Sequence, residues 1–252
     1  MAEQPNYAQQ RREVAQACRI LATHGLVSDI LGHVSLRVGD DLLLLRARGP
    51  ADDGLLLTTP ADIVLVHLDG RPAEDLADHA LPQEKDIHLA VMRNREDAGA
   101  VVHAHPPDVV ACSIAGLALQ PVFGAFNIPA MRLAERGIPV YDYFGLIRDR
   151  RRGDEMASIL GPSQAVVLRG HGLTATGPSL AEAVVTAVNV NQLAVMTLKL
   201  ASTGMTAPPL VPTADRAELP DLGTGFNHDA VWRAYVARLA QAGLAVPSPG
   251  AA

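Results

Sequence analysis

The composition of this chain is typical of a folded globular protein with a mildly acidic balance. Its 252 residues are 48% hydrophobic and 19% charged, which excludes a disordered chain and allows a sizeable core. The formal net charge of −6 and the aromatic content of 4% provide neither a basic nor a stacking surface, so we expect no nucleic-acid partner.

Nothing in the sequence indicates a membrane or an oxidising compartment. No continuous apolar run approaches the roughly 20 residues that cross a bilayer. Residues 1–6 lack the basic and apolar regions of a signal peptide, and Cys18 and Cys112 are too few for a disulfide framework. We therefore expect a cytoplasmic protein with no membrane partner.

One helix and several short strands are expected in the first part of the chain. Apolar residues recur at helical spacing across residues 7–24, and Gly25 is the residue type expected just past a helix end. Short runs rich in leucine and valine then predict strands at residues 42–45, 55–59 and 63–68.

Helices and strands alternate along the rest of the chain. The expected helices cover residues 82–95, 107–115, 148–160, 179–201 and 231–240, and the expected strands cover residues 101–105 and 165–169. Ser179 and Glu182 form a capping-box pattern at the start of the longest helix. Residues 207–225 are rich in Pro, Asp and Gly and predict an extended arm. The pattern predicts an α/β fold of three layers.

Two histidines at alternate positions of an expected strand are the first sign of chemistry. His103 and His105 share one face of an extended strand, and Pro106-Pro107 then ends that strand. A third histidine, His171, follows another apolar run and lies between two glycines. Three neutral imidazoles with a vacant coordination position are typical of a catalytic metal site. Each histidine also has a plainer interpretation, as a polar strand or turn residue.

Glu84 is the candidate acid/base group. It lies near the expected start of a helix, about twenty residues before His103. Beside a bound divalent ion it would move a proton or occupy the vacant metal position, while the ion polarises a carbonyl and stabilises an enolate. These groups suit carbon–carbon cleavage. Hydrolysis by metal-activated water would use similar groups, so the residue types leave both reactions open.

Four segments together resemble the class II aldolase/adducin family in their order and spacing. They are residues 32–37 (Gly-His-Val-Ser-Leu-Arg), residues 82–88 (Pro-Gln-Glu-Lys-Asp-Ile-His), residues 103–105 and residues 170–172. The resemblance implies a central, mostly antiparallel sheet between helices, in a homotetramer with sites at subunit boundaries. It also implies one divalent ion per subunit, most often zinc, with manganese or cobalt as alternatives, held by His103, His105 and His171. Glu84 would be the catalytic acid/base.

The same resemblance implies a domain organisation. Residues 1–206 would form the class II aldolase/adducin-like catalytic domain. Residues 207–252 would form a C-terminal arm and short helix, belonging to that domain or to an interface.

The chain departs from the sugar-phosphate aldolases of this family where they hold phosphate. His33 replaces an asparagine, Pro82 and Gln83 replace two serines, and residues 60–62 (Pro-Ala-Asp) replace a Ser-Gly pair. Only Ser35 of the phosphate cradle remains, and the carboxylate of Asp62 would repel an anion beside it. We therefore expect a substrate other than a sugar phosphate.

The polar residues that remain suit a carboxylate substrate. We expect His33 and Ser35 to contact it, together with Arg37 or Arg48 as a bidentate partner and Thr58 or Thr59 as a hydroxyl donor. For His33, a structural role in a turn remains an alternative.

His88 and Tyr143 are candidates for supporting these contacts with the substrate, although packing roles are also open for both.

Residues 124–129 and 168–174 resemble a branch of the family with metal-dependent decarboxylases, which act on hydroxylated aromatic or ring-opened acids such as dihydroxyphthalate. We therefore expect a metal-dependent decarboxylase. One alternative is an aldolase that cleaves a non-phosphorylated hydroxy-oxo acid. A more distant alternative is an adducin-like interaction module that binds no metal.

Overall fold

The computed structural model, which describes residues 7–205 and 207–247, has a seven-stranded mixed sheet at its centre. The strands are β1 (His33–Arg37), β2 (Leu42–Arg46), β3 (Ile63–His67), β4 (Ala100–Ala104), β5 (Val140–Tyr141), β6 (Ala165–Leu168) and β7 (Gly172–Gly177). Their order across the sheet is β3-β2-β1-β4-β7-β6-β5, and only β5 and β6 pair in parallel. The expected mostly antiparallel sheet is confirmed.

Eight α-helices cover the two faces of this sheet within the described residues. They are α1 (Ala8–Thr23), α2 (Lys85–Asn94), α3 (Pro107–Ala115), α4 (Ile128–Glu135), α5 (Arg150–Leu160), α6 (Leu180–Ser202), α7 (Thr213–Glu218) and α8 (Val231–Gln241). Alternate residues of a strand point to opposite faces of the sheet. In β4, Val102 therefore packs in a hydrophobic cluster with residues of α1, α3, α4, α6 and α8. Val101 packs in a second hydrophobic cluster, on the other face, with residues of α2 and α5. The three-layer α/β/α prediction is therefore confirmed.

Two of the predicted elements are wrong. Residues 55–59 do not form a strand, because Gly54 has φ +82° and the chain then turns through a 3₁₀ helix at Leu55–Leu57, in which only Leu55 is buried. The arm at residues 207–225 is not wholly extended, since it contains α7.

Besides α7, four elements were absent from the sequence prediction. They are α4, β1, β5 and β7. The strand β7 (Gly-Leu-Thr-Ala-Thr-Gly) has little intrinsic strand propensity, and it is ordered by hydrogen bonding to β4 and β6 on its two sides.

The longest helix, α6, crosses the core. Ser179 Oγ accepts the Glu182 backbone N–H at 3.2 Å, which confirms the predicted cap. Among the described residues, α6 is the one helix long and apolar enough to cross a membrane, but 61% of its most apolar window is buried inside the protein. We therefore describe α6 as a core helix.

The C-terminal segment returns to the start of the chain. Tyr235 and Leu239 of α8 are buried in the cluster that includes α1. The Arg19 guanidinium of α1 donates to the carbonyl oxygens of Leu244 and Ala245, at 3.0 and 3.4 Å. The structure does not describe residues 1–6, 206 and 248–252. The predicted domain boundaries, and the expectation that residues 1–6 are not a signal peptide, therefore fall on undescribed positions.

Candidate metal centre

The three candidate histidines come from two neighbouring strands. His103 is in β4, His105 directly follows it, and His171 lies in the turn that joins β6 to β7. Because β4 and β7 are adjacent and antiparallel, with Ala104 opposite Leu173, the end of one strand meets the beginning of the other. This register brings side chains 66 to 68 positions apart in the sequence to one edge of the sheet.

Glu84 completes the cluster from the helix layer. It is the residue just before α2, rather than a residue of its first turn as the sequence suggested. Its Oε2 lies 3.7 Å from His103 Nε2 and 3.4 Å from His171 Nε2, and His105 Nε2 lies 2.8 Å from His103 Nε2. One potential ligand atom from each of the four residues lies within 4.8 Å of the others.

Hydrogen bonds behind the cluster orient two of these side chains. His103 Nδ1 donates to the carbonyl oxygen of Leu173 at 3.1 Å, which leaves the Nε2 lone pair facing the cluster. The backbone N–H of Ile147 donates to Glu84 Oε1 at 2.8 Å, which leaves Oε2 facing the imidazoles. A backbone donor has no sequence signal, and Ile147 was not predicted.

The donor set fits a divalent cation. Both ring nitrogens of His171 are buried and have no hydrogen-bond partner among the residues that the structure describes. Such an unpaired buried group is costly unless a ligand satisfies it. Three imidazoles and one carboxylate are ligands that zinc and similar ions accept.

Burial holds two of the histidines, His103 and His105, in the neutral form that binds metal. Burial, reinforced by the neighbouring imidazoles of His105, His33 and His171, lowers the pKa of His103 well below its usual value. Burial, followed by the charge of His171, lowers the pKa of His105 to about 4, although Glu84 opposes this shift. The approach of Glu84 Oε2 to His103 at 3.7 Å is therefore not an ordinary ion pair, because a neutral ring offers a lone pair rather than a charge.

Glycines shape the turn that carries His171. Gly170 has φ +63°, and a side chain there would overlap the ring of Phe144. A Cβ at Gly172 would overlap the carbonyl oxygen of Ala104 and press on His105. The Gly-His-Gly pattern is therefore required by close approach of the backbone to β4 and to the cluster.

We predict that Gly172→Ala weakens both folding and metal binding. The added methyl group must push β7 away from β4 beside His105, at a cost of about 1–3 kcal/mol. Thermal unfolding and metal content of the purified protein measure the two effects. Gly39→Ala is the control, because a Cβ there meets Leu42 at an ordinary 3.7 Å. Wild-type behaviour of Gly172→Ala in both measurements would contradict the prediction.

The structure places three further predicted residues in a chain beside the cluster. Ser35 Oγ lies 2.7 Å from His88 Nδ1, and His88 Nε2 lies 2.6 Å from His33 Nδ1. His33 is paired with His103 in the β1–β4 register, and their ring centroids are 5.0 Å apart. His33, Ser35 and His88 are therefore close to the candidate metal centre.

Acidification should destabilise the protein through His88. Burial lowers the pKa of His88 to about 3, against 6.5 in the unfolded chain, so the unfolded state alone binds this proton between pH 6.5 and about 3. Stability is therefore lost as the pH falls below 6.5, by about 2 kcal/mol from this residue at pH 5. We expect His88→Gln to show a smaller loss between pH 7 and pH 5 in denaturant unfolding. Equal losses in the two proteins would contradict this prediction.

A pair of arginines lies on the side of His33. Arg46 forms a buried ion pair with Asp52, and Arg48 Nε lies 3.7 Å from the other Asp52 oxygen with 43% of its side chain exposed. Both arginines contribute to the low pKa of His33, after burial and the imidazoles of His88 and His105. Arg48 was predicted as a substrate contact. Arg46 was missed, although it directly follows the apolar run of β2.

Arg37, predicted as an alternative to Arg48 for contacting the substrate, is engaged elsewhere in the structure. Its side chain donates to the carbonyl oxygens of Met92 and Ala98 and reaches that of Arg95, so it is engaged with the last turn of α2 and the loop beyond. A guanidinium at a helix C-terminus satisfies carbonyl groups that have no partner within the helix. Arg37 therefore stabilises the end of α2 and is not a member of the cluster.

The remaining predicted residues, Thr58 and Tyr143, make their contacts with residues outside the cluster. Thr58 is 2% exposed, and its carbonyl oxygen accepts from Arg19 Nε at 2.9 Å. Its hydroxyl has no hydrogen-bond partner within residues 7–205 and 207–247. The ring of Tyr143 stacks under the Arg152 guanidinium, 4.1 Å from the ring centroid. Tyr143 belongs to the loop that brings Ile147 to Glu84.

Comparisons with known proteins show which family the chain resembles. The sequence profile of the Class II Aldolase and Adducin N-terminal domain matches residues 12–198. The 3,4-dihydroxyphthalate decarboxylase of Arthrobacter keyseri is 46% identical over 94% of this chain and 96% of the relative. The enzyme of the same name from Terrabacter sp. (strain DBF63) is 47% identical over 92% and 98%.

The fold is also found among solved structures. An aldolase II superfamily protein from Pseudomonas syringae matches with a TM-score of 0.81 and 23% identity over 97% of each chain, a likeness that concerns the fold alone. The match of the sequence profile, over most of the chain and across all four ligand residues, carries the assignment. This chain belongs to the class II aldolase and adducin family.

Proposed function

We propose that this protein is a metal-dependent carbon–carbon lyase that decarboxylates a hydroxylated aromatic acid of the dihydroxyphthalate type. The observation that carries the proposal is the convergence of Glu84 Oε2 with the Nε2 atoms of His103 and His171, within 3.7 Å. The two decarboxylases at 46% and 47% identity support the choice of substrate class. A non-catalytic role is disfavoured, because all four potential ligands are retained.

The residues present fit one divalent ion per subunit. His103, His105 and His171 would hold it, and we propose zinc, with manganese or cobalt as alternatives. When bound, such an ion stabilises negative charge on the substrate oxygens it touches.

Glu84 supplies the proton in this proposal. Glu84 takes up a proton from solvent and delivers it from Oε2 to the ring carbon that carries the departing carboxylate. The bond to that carboxylate then breaks, carbon dioxide leaves, and the electron pair of the bond restores the aromatic ring of the dihydroxybenzoate product. The Ile147 N–H holds Oε1, so Oε2 is the oxygen turned to the reacting centre. Burial of Glu84 to 6% exposure limits competition from bulk water.

The charges near the site suit a carboxylate substrate better than a sugar phosphate. Arg46 and Arg48 share the single carboxylate of Asp52, which leaves one positive charge in excess on the His33 side. Asp62 lies at the position of the missing phosphate donors and accepts from Thr59 N and Oγ1, at 2.7 and 2.9 Å. That carboxylate would repel a phosphate, which needs several donors and no acidic neighbour.

Product analysis tests the proposed reaction. The zinc-, manganese- and cobalt-loaded proteins are each incubated with 3,4-dihydroxyphthalate, and we expect equal amounts of carbon dioxide and a dihydroxybenzoate. In deuterium oxide the product should carry one deuterium on the ring, at the carbon that lost the carboxylate. No decarboxylation with any ion, together with pyruvate release from a hydroxy-oxo acid, would favour the aldolase instead.

We further propose that the active form is a cytoplasmic homotetramer. Two large apolar side chains beside the site are exposed, Ile114 at 62% and Phe144 at 63%, and Phe144 packs over Gly170 next to His171. Exposed apolar groups at a site favour a subunit contact there. Light scattering of the purified protein measures the assembly, and a monomer at working concentration would contradict this proposal.

A further inference from the structure

The hydrogen-bonded chain of Ser35, His88 and His33 (the relay) connects the buried side of β1 to the candidate metal centre. Ser35 and His88 have no exposed surface, and His33 retains 6%. The Nε2 of His33 makes no hydrogen bond to any described residue and is not among the fully buried unpaired atoms, so it is the one relay nitrogen left to meet a ligand.

The protons of the relay have two arrangements when both rings are neutral. In one, Ser35 donates to His88 Nδ1, and His88 Nε2–H donates to His33 Nδ1, so His33 carries its proton on Nε2. In the other arrangement, both hydrogen bonds run in the opposite direction: His33 Nδ1–H donates to His88 Nε2, and His88 Nδ1–H donates to Ser35 Oγ. His33 Nε2 is then an acceptor. Burial favours neutral rings in both His88 and His33.

Only the first arrangement satisfies every buried group. In the reversed arrangement Ser35 accepts from His88, and its own hydroxyl hydrogen then needs an acceptor. Within the described part of the chain, the one hydrogen-bond contact of Ser35 Oγ is His88 Nδ1. A fully buried hydroxyl without an acceptor is unfavourable, so the direction from Ser35 to His33 prevails.

We propose that Ser35 and His88 are positioning residues that fix the proton of His33 on Nε2, so that His33 presents a neutral N–H donor to an anionic oxygen of the substrate. This inference rests on the proposed function for the identity of the anion. The donor lies beside His103, and Arg46 and Arg48 add positive charge on the same side. His33 thus contributes a directed hydrogen bond, and the arginines contribute the charge.

Nitrogen NMR of the full-length, metal-loaded protein reads the tautomers directly. In protein labelled with ¹⁵N-histidine, we expect a protonated Nε2 and an acceptor-type Nδ1 for both His33 and His88. The signals are assigned by their disappearance in His33→Phe and His88→Gln. A wild-type His33 with its proton on Nδ1 would overturn the proposal, and this measurement does not depend on the stability of any variant.

Substitution of Ser35 tests the positioning role. Ser35→Ala should shift the His88 Nδ1 resonance and convert His33 to a mixture of tautomers. Thr176→Val is the matched control, because it removes a buried hydroxyl that donates to Ala100 at 2.9 Å on the same sheet, outside the relay. Unchanged His33 nitrogens in a folded Ser35→Ala protein would show that Ser35 does not set the tautomer.

Binding of phthalate, an unreactive aromatic dicarboxylate, tests the donor role. By titration calorimetry we expect the Kd to rise about tenfold in His33→Phe, about threefold in Ser35→Ala and not at all in Thr176→Val. Equal affinity in wild type and His33→Phe, or binding by neither, would overturn this role. The NMR and calorimetric measurements do not involve turnover. Failure of the decarboxylation assay therefore remains distinguishable from failure of this inference.

Discussion

Glu84→Gln should abolish decarboxylation while leaving the metal bound. The amide has the shape of the carboxylate, and its oxygen can still accept the Ile147 N–H that now bonds to Oε1 at 2.8 Å. It cannot deliver a proton as an acid at the Oε2 position. Since positioned acid/base groups typically contribute 10²–10⁴-fold, we expect kcat to fall by at least about a hundredfold. Steady-state assays of product formation measure the loss.

Metal analysis of the same variant separates the two roles that Glu84 is able to play. Three histidines remain in Glu84→Gln, so we expect a metal content equal to that of the wild type. Glu135→Gln is the control for charge removal, because Glu135 pairs with Arg132 at 3.0 Å, away from the cluster. Full turnover by Glu84→Gln would refute the acid/base role. Loss of metal from it would make Glu84 primarily a ligand.

His171→Ala should remove the metal while leaving the fold largely intact. His171 is the best ligand for this test, because neither ring nitrogen has a hydrogen-bond partner within the described residues and its removal therefore breaks no hydrogen bond of the side chain. His103, by contrast, is fully buried and donates to Leu173, so its replacement would also disturb the sheet. We expect metal content below about a tenth of an ion per subunit and no measurable turnover.

Thermal unfolding supplies an independent measure of the same effect. A ligand that binds only the folded state raises stability, by about 2.7 kcal/mol at a hundred times its Kd. A chelator should therefore lower the Tm of the wild type and leave that of His171→Ala unchanged. His67→Ala, a partly exposed histidine paired with Asp41, should respond as the wild type does. A chelator-sensitive Tm in His171→Ala would mean that this histidine is dispensable for binding.

The predictions that succeeded depend on local periodicity. The alternation of His103 and His105 requires only that the segment be a strand, since a period of two places both on one face. The helix starting at Ser179 follows from its cap and its length.

The roles of the polar residues of β1 depend on what each side chain meets. His33, Ser35 and Arg37 alternate along β1 and so share one face, which lies over α2. Because the strand rises about 3.3 Å per residue, His33 reaches the start of α2 beside the cluster, whereas Arg37 reaches its C-terminal carbonyl groups. The sequence marks all three as polar residues and cannot tell which end of a helix each will meet.

The sequence by itself determined the four potential ligands and the segment that carries two of them, because these follow from residue type and short-range spacing. Only the tertiary structure decided that Ile147 orients Glu84, that His33 and His88 form a relay with Ser35, and that Arg37 is occupied elsewhere. These contacts join residues 53 to 63 positions apart. Their geometry depends on strand register and helix packing, which no local pattern specifies.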